Sequence, residues 1–502
     1  MSWSRWPGSA RTTDWNTCGD SSSEPRCTLE SARSRDALIR RTRMSSALTG
    51  NSRTTRLALL VGIAAATVGI IYGYDSSNIG GAMLYLAEDF HLDAAAQSWV
   101  TTTVVVGEIL GALFGGALAN RIGRKPTMVV VAVSFAAFSL LSGLAPFLWV
   151  LVIARFLLGL TIGVSVVVVP VFVAESAPAR SRGAFLVLYQ VATVSGIILG
   201  YLVAMALAPT ESWRWMLGLA AIPGVIITLV LLRLPDTARW YVMKGRTSEA
   251  RSTLARIEGP EVDVDAEIET ITAGFAAGHT ASWRDLLRKP FLRATLFVVG
   301  LGFFVQLTGI NAIVYYSPRI FEAMGFTDDI VKLGLSALVQ VAGLVAVFVA
   351  LLVIDRMGRR PVLLIGIGTM VLANLLLVIV FAIGGGHFDG ALTIAGFIGL
   401  VLFTAGFTFG FGSLVWVYAG EAMPAHLRSL GASVMLTSDL VANVIVGAFF
   451  LTILNALGGA GAFAVFGVIA ILAFFFVVWL APETKGRPLE DIGRYWENGG
   501  RW

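Results

Sequence analysis

The stretch Asn120-Arg-Ile-Gly-Arg-Lys-Pro126 returns 235 residues later as Asp355-Arg-Met-Gly-Arg-Arg-Pro361. Two further pairs follow in the same order. Glu175-x-x-Pro178-x-x-x-Arg182 is echoed by Glu421-x-x-Pro424-x-x-x-Arg428, and Pro235-Asp-Thr by Pro482-Glu-Thr. The intervals are kept too: Glu175 to Pro235 is 60 residues and Glu421 to Pro482 is 61. A chain that repeats its loop chemistry at matched spacing is expected to be two similar halves with a site between them.

Between these motifs the chain is almost hydrocarbon. Of 502 residues, 56% are hydrophobic and 14% charged, and the mean hydropathy is +0.78. A soluble domain carries about 25% charged residues to cover its surface, so only lipid can accept this one. An apolar run of about 20 residues crosses a bilayer as a helix. Six such runs precede the central polar stretch: Leu57–Tyr74, Ala94–Ala119, Pro126–Leu144, Leu148–Val173, Gly183–Leu207 and Trp213–Leu232. Six follow it: Thr295–Tyr316, Leu333–Ile354, Pro361–Ile383, Ala391–Ala419, Ser429–Phe450 and Gly461–Leu480. The expected fold is all-α, with twelve membrane spans in two six-helix halves, 57–234 and 291–482.

Basic residues set the orientation, because short cytoplasmic loops are enriched in Lys and Arg. Arg121, Arg124 and Lys125 join spans 2 and 3, Arg180 and Arg182 spans 4 and 5, Arg356, Arg359 and Arg360 spans 8 and 9, and Arg428 spans 10 and 11. The 1–2 loop holds Glu88, Asp89 and Asp93 with no Lys or Arg. Both termini, the 235–290 linker and the 483–502 tail are therefore expected in the cytoplasm of a cell with an inner membrane. In the linker, apolar residues such as Ala250, Leu254, Ile268 and Ile271 alternate with charge, which predicts short amphipathic helices on the membrane face; a solvated linker is the alternative.

Residues 1–56 read as a disordered tail, rich in Ser, Thr and Arg; Met44 offers a second candidate start. Cys18 and Cys27 lie there, so the membrane core has no thiol chemistry. The net charge of +5 is loop topology and gives no reason to expect nucleic acid. Four histidines (His91, His279, His387, His426) lack metal-ligand spacing, and there is no phosphate loop or nucleophile–base arrangement. No enzyme, cofactor or ATP drive is expected.

Seven ordered motifs resemble the sugar porter family of the major facilitator superfamily across residues 57–490. They are Gly73-Tyr74-Asp75, Arg121-x-Gly-Arg-Lys, Arg155-x-x-x-Gly159, Glu175-x-x-Pro-x-x-x-Arg182-Gly183, Pro235-Asp-Thr-Ala-Arg239-Trp240, Gln306-Leu-Thr-Gly-Ile-Asn311 with Tyr315-Tyr316, and Pro482-Glu-Thr-Lys-Gly486. The resemblance implies a monomeric carrier of a sugar or polyol with protons. A facilitative uniporter, an efflux antiporter and a transporter-like nutrient sensor remain alternatives.

Charge inside a membrane marks function by default. Asp75 and Arg155 match the family's proton-coupling pair; a permanent structural ion pair is the alternative. Glu108 in span 2 has no family motif, and reads equally as a second protonatable site or as a polar interhelix contact. Asp439 sits where relatives carry Gln, and can accept from a solute hydroxyl or from a cationic group. Gln190, Gln306, Asn311, Trp416 and Asn443 match the family's substrate positions, each with an interhelical hydrogen bond as the alternative. Gln306 and Asn311 are five apart, about 140° around a straight helix, so they share a cavity only if span 7 unwinds near Gly309. Tyr315 and Tyr316 are expected in an outer gate or an aromatic belt. Arg121, Arg124 and Lys125 can pair with Glu175, and Arg356, Arg359 and Arg360 with Glu421, in a gating network that also takes in Arg182 and Arg428 and whose ion pairs break on inward opening; positive-inside topology alone is the alternative. Val305, Gly343 and Leu440 replace an amide, an amide and a tryptophan of the family. Those losses point away from plain glucose and toward a polyol, a cyclitol or a less polar solute.

Overall fold

A backbone crossing hydrocarbon must bond all its own N–H and C=O groups, so the apolar runs are helical. The computed structural model describes residues 56–176, 182–258, 263–276, 283–385, 388, 390–424, 427–487 and 489–500. The N-terminal tail with both cysteines lies outside them, as do Arg180 and the side chain of Arg182.

The first half comprises α1 (Arg56–Asp89), α2 (Ala94–Ile122), α3 (Arg124–Gly143), α4 (Leu148–Ser176), α5 (Arg182–Leu207) and a sixth crossing shared by α6 (Trp213–Gly218) and α7 (Ala221–Leu232). The second half comprises a crossing divided between α12 (Leu292–Leu307) and α13 (Ile310–Ala323), then α14 (Asp329–Met357) and α15 (Arg359–Gly384). Next come α16 (Gly390–Phe407) and α17 (Ser413–Glu421), joined by a π-helical turn at Thr408–Gly412, and finally α18 (Arg428–Leu480). Ten helical segments among the described residues are long and apolar enough to cross a membrane. One of them, α18, is 53 residues long, about 80 Å, and breaks at Gly458 (φ 67°), so it crosses twice. With α1 the crossings number twelve.

α1 runs to Asp89 rather than ending at Tyr74, because Asp75 is paired inside the protein and its charge does not interrupt the helix. The linker is helical: α8 (Ala238–Met243), α9 (Thr247–Glu258), α10 (Val264–Ala276) and α11 (Trp283–Leu286). Ala238, Ala250 and Leu254 bury against Tyr241, Val264 and Ile268, and Trp240 Nε1 donates to the Asn120 carbonyl at 3.2 Å, tying α8 beneath α2. A last amphipathic helix, α19 (Leu489–Glu497), is tied by Trp496 Nε1 to the Ala422 carbonyl at 2.8 Å. Leu113, Phe114, Leu352 and Trp479 each leave more than half their surface uncovered, the outward apolar face that hydrocarbon would cover.

The repeated motifs have a structural cause that recurs in each half. α2 ends at Gly123 (φ 113°) and α14 at Gly358 (φ 99°), a left-side backbone geometry that L-residues resist. The turn exposes the first N–H groups of α3 and α15, and an acid from the far end of each half caps them. Asp236 Oδ1 accepts from the N–H groups of Arg124 and Lys125, both at 3.1 Å. Glu483 accepts from those of Arg359 and Arg360, both at 3.0 Å. Burial pushes the Asp236 carboxyl above its ordinary range, against the pull of its backbone donors. Capping acids also meet the positive end of the helix dipole.

The two halves meet at the end opposite the basic loops. There Tyr201 of α5 donates to the Val314 carbonyl of α13, Arg319 donates to Gln97 Oε1 at 3.3 Å, and Gly447 of α18 lies against Thr102 of α2.

Loss of one cap should cost about 1–2 kcal/mol. Asp236→Ala and Glu483→Ala should each lower the melting midpoint of the detergent-solubilised protein, and the double variant should show the sum of the two shifts, because the sites are independent. A scan of intrinsic tryptophan fluorescence against temperature measures this.

Candidate functional site

Arg155 lies seven residues into α4 and Asp75 inside α1, each on a helix with no other charge at that depth. Arg155 Nη1 donates to Asp75 Oδ1 at 2.6 Å, with side chains 2% and 7% exposed. Gly159, one turn beyond Arg155, lets α4 lie directly on α2: a Cβ there would stand 1.9 Å from the Val104 carbonyl oxygen. The same contact brings Glu108 of α2, 3% exposed, within electrostatic reach of Asp75, Arg155 and Asp439.

Span 7 unwinds where the residue spacing requires. α12 stops at Leu307, Gly309 adopts φ 99°, and α13 begins at Ile310. A side chain at Gly309 would meet both that φ and the Phe466 ring at 2.7 Å. The break turns Asn311 back toward Gln306: Asn311 Nδ2 donates to Gln306 Oε1 at 2.9 Å, and Gln306 Nε2 donates to Asp439 Oδ1 at 3.1 Å. One turn on, Asn443 Nδ2 donates to the Tyr315 hydroxyl at 3.2 Å. Tyr316 donates to the Gly447 carbonyl at 3.0 Å, and both tyrosines are buried near the end where the halves meet.

Gln190 and Trp416 occupy a different wall. They line a cavity of about 740 Å³ between α5 and the helices α14 and α17, which reaches Arg359, Glu421 and Thr484 at the basic end. The Asn311–Gln306–Asp439 chain lies deeper: Asp439 is eleven residues into α18 and Trp416 five from the end of α17, about 16 and 8 Å along their axes. Gly343 continues the Val347–Leu351–Ile354 face of that cavity, with Thr404 and Thr408 where an amide would have stood. Val305 and Leu440 are buried.

At the basic end, among the described side chains, one arginine of each loop pairs with the acid. Arg124 Nε donates to Glu175 Oε2 at 3.1 Å, and Arg359 Nε to Glu421 Oε2 at 3.3 Å. Arg121 and Arg356 are exposed and make no side-chain ion pair among the described residues. Arg360 Nη2 instead reaches the Val478 carbonyl. Arg428 is half-buried, and its Nε and Nη2 have no partner among the described residues. Both ion pairs lie within one half each. Arg359 and Glu421 are paired where they line the cavity.

Sequence reasoning missed four members of this network. Thr237 Oγ1 donates to Glu175 Oε2 at 2.7 Å and Thr484 Oγ1 to Glu421 Oε2 at 2.6 Å, beside the capping acids Asp236 and Glu483. The signal was present: Pro-Asp-Thr and Pro-Glu-Thr recur at matched distance from the two glutamates.

A family model described as "Sugar (and other) transporter" matches residues 61–496. The galactose-proton symporter of Escherichia coli (strain K12) is 33% identical over 435 residues, 86% of this chain and 92% of that one. The arabinose-proton symporter of the same organism is 32% identical over 456 residues, 89% and 96% of the two chains. The partially occluded inward open conformation of the xylose transporter XylE from E. coli superimposes with a TM-score of 0.76 at 23% identity, covering 86% of this chain and 99% of that one. The fold is that of the major facilitator superfamily, and the chain belongs to the sugar transporter family.

Proposed function

We propose that this protein carries a small polyhydroxylated solute, a sugar or polyol, into the cell together with protons, by alternating access between its two halves. The observation that carries the reading is the buried Asp75–Arg155 pair, set beside an unwound helix that presents Gln306 and Asn311. Relatives named as galactose-proton and arabinose-proton symporters support it. The positive-inside rule, applied to the arginine-bearing loops, supports a cytoplasmic side for the basic end, both termini and the linker. On that orientation the 740 Å³ cavity faces inward, and Tyr315 and Tyr316 close the outer side. The protein works in this reading as a monomer in the cell membrane, with no chemical step.

The coupling follows from charge. Ionised Asp75 holds Arg155 through a charge-assisted bond in a site with almost no water. A proton taken by Asp75 leaves Arg155 without its anion, so α1 and α4 lose their fixed spacing and the first half can rock against the second. Each half moves as a body because Arg124–Glu175–Thr237 and Arg359–Glu421–Thr484 tie its cytoplasmic helix ends together. Substrate contacts come from the amide chain of α12–α13, from Asn443, and from Gln190 and Trp416 on the cavity wall. Asp439 accepts a hydrogen bond in place of the family's glutamine.

Asp75→Asn should abolish proton-driven accumulation in energised vesicles while counterflow exchange continues. Accumulation that survives the change would show the coupling group lies elsewhere. Asn311→Ala removes one donor to the solute and releases Gln306, and should raise the apparent KM of uptake several-fold. An unchanged KM would take span 7 out of the site.

A further inference from the structure

Glu108 and Asp439 stand at one level on opposite halves. α2 and α18 run antiparallel and touch where Gly447 meets Thr102, with a Cβ at Gly447 falling 3.0 Å from Thr102 Oγ1. Toward the basic end, Glu108 is six residues further along α2 and Asp439 eight residues back along α18. At 1.5 Å per residue these are about 9 and 12 Å from the contact. Glu108 is seven residues on from Thr101, two turns along one α2 face, and Thr101 meets the Tyr316 hydroxyl of the second half. Tyr72, Tyr189 and Tyr315 come from α1, α5 and α13, and each lies within electrostatic reach of Glu108. Tyr72 senses Asp439 as well. Residues of five helices thus come within electrostatic reach of one another around the two carboxyl groups.

Neither acid has a basic partner. Arg155 is committed to Asp75, and no salt bridge reaches Glu108 or Asp439 among the described residues. Glu108 is 3% exposed and its Oε2 has no hydrogen-bond partner there. A buried carboxylate oxygen left unpaired is costly, and it is retained where a ligand completes it. Asp439 is half-buried; Gln306 Nε2, itself held by Asn311, donates to its Oδ1, and no hydrogen bond reaches its Oδ2 among the described residues. A neutral sugar needs donors as much as acceptors; this level offers two acids, with Val305 in place of an amide beside Gln306.

We propose that the solute carries an ammonium group as well as hydroxyls, an amino sugar or aminocyclitol, and that Glu108 and Asp439 hold that group from opposite halves. Two like charges repel as the halves close, whereas an ammonium between them with three N–H donors satisfies both. The ligand therefore binds the closed form better than the open one, which is the condition for a ligand to drive closure. The inference rests on the solute-carrier reading above, and its test is an equilibrium measurement that does not need proton coupling.

The purified carrier is titrated with D-glucosamine, N-acetyl-D-glucosamine and D-glucose in sodium-free buffer, below the pKa of the amine, and the dissociation constants are taken from ligand-induced thermal stabilisation. The amine should bind at least about tenfold more tightly than the N-acetyl form and than glucose, in line with the loss of a charged partner in a desolvated site. Glu108→Gln and Asp439→Asn should each reduce that ratio several-fold. Equal affinity for the three compounds, a ratio untouched by both substitutions, or stabilisation by sodium chloride alone that matches the amine would each overturn the ammonium assignment and leave the carrier reading standing. Failure of every sugar and polyol to bind would overturn both.

Discussion

The Asp75–Arg155 contact is the constraint on which the rest of the molecule turns. A charge well inside a bilayer costs roughly 2.5–3.5 kcal/mol even by lenient scales, and breaking one partner from a buried pair costs about 3–5 kcal/mol. Each residue is costly without the other. Their meeting requires α1 to continue past the acid, α4 to carry the arginine inward, and Gly159 to bring α4 flat against α2. The pair is thus a structural necessity of the first half in one protonation state and an instability in the other. A structural ion pair and a proton switch differ only in whether the carboxyl is reached by protons.

The two halves are tied differently within themselves than to each other. Within each half, a glycine turn, a capping acid, an arginine–glutamate pair and a threonine join the end of one helix to the start of the next and to the chain that leaves the half. Between the halves, the contacts gather at the end away from the basic loops, and a cavity separates them at the other. Stiff halves with a weakly joined interface convert a local change of charge into rotation of a body, which is the geometry that alternating access needs.

Much of this architecture was legible in the sequence, for physical reasons. Apolar runs of bilayer length leave little choice but a helix, and basic loops on alternate sides give the path. Asp75 and Arg155 stood out because almost nothing else in those runs is charged, and the unwinding at Gly309 followed from the angle between Gln306 and Asn311. Other features depend on register and could not be read. Which arginine of a trio turns inward is set by the φ of Gly123 and Gly358, so Arg121 and Arg356 were assigned too readily. The caps by Asp236 and Glu483 join residues more than a hundred positions apart. The common level of Glu108 and Asp439 emerges only when α2 and α18 are laid antiparallel.

The central claim is that solute and proton move together through the cycle gated by Asp75 and Arg155. The most direct measurement is the charge displaced when a transported polyol or sugar is added to proteoliposomes adsorbed on a supported membrane, recorded alongside uptake of the labelled solute. Coupled movement predicts an inward positive current that scales with uptake and vanishes in Asp75→Asn. Uptake of the labelled solute with no current and no change in external pH would contradict it.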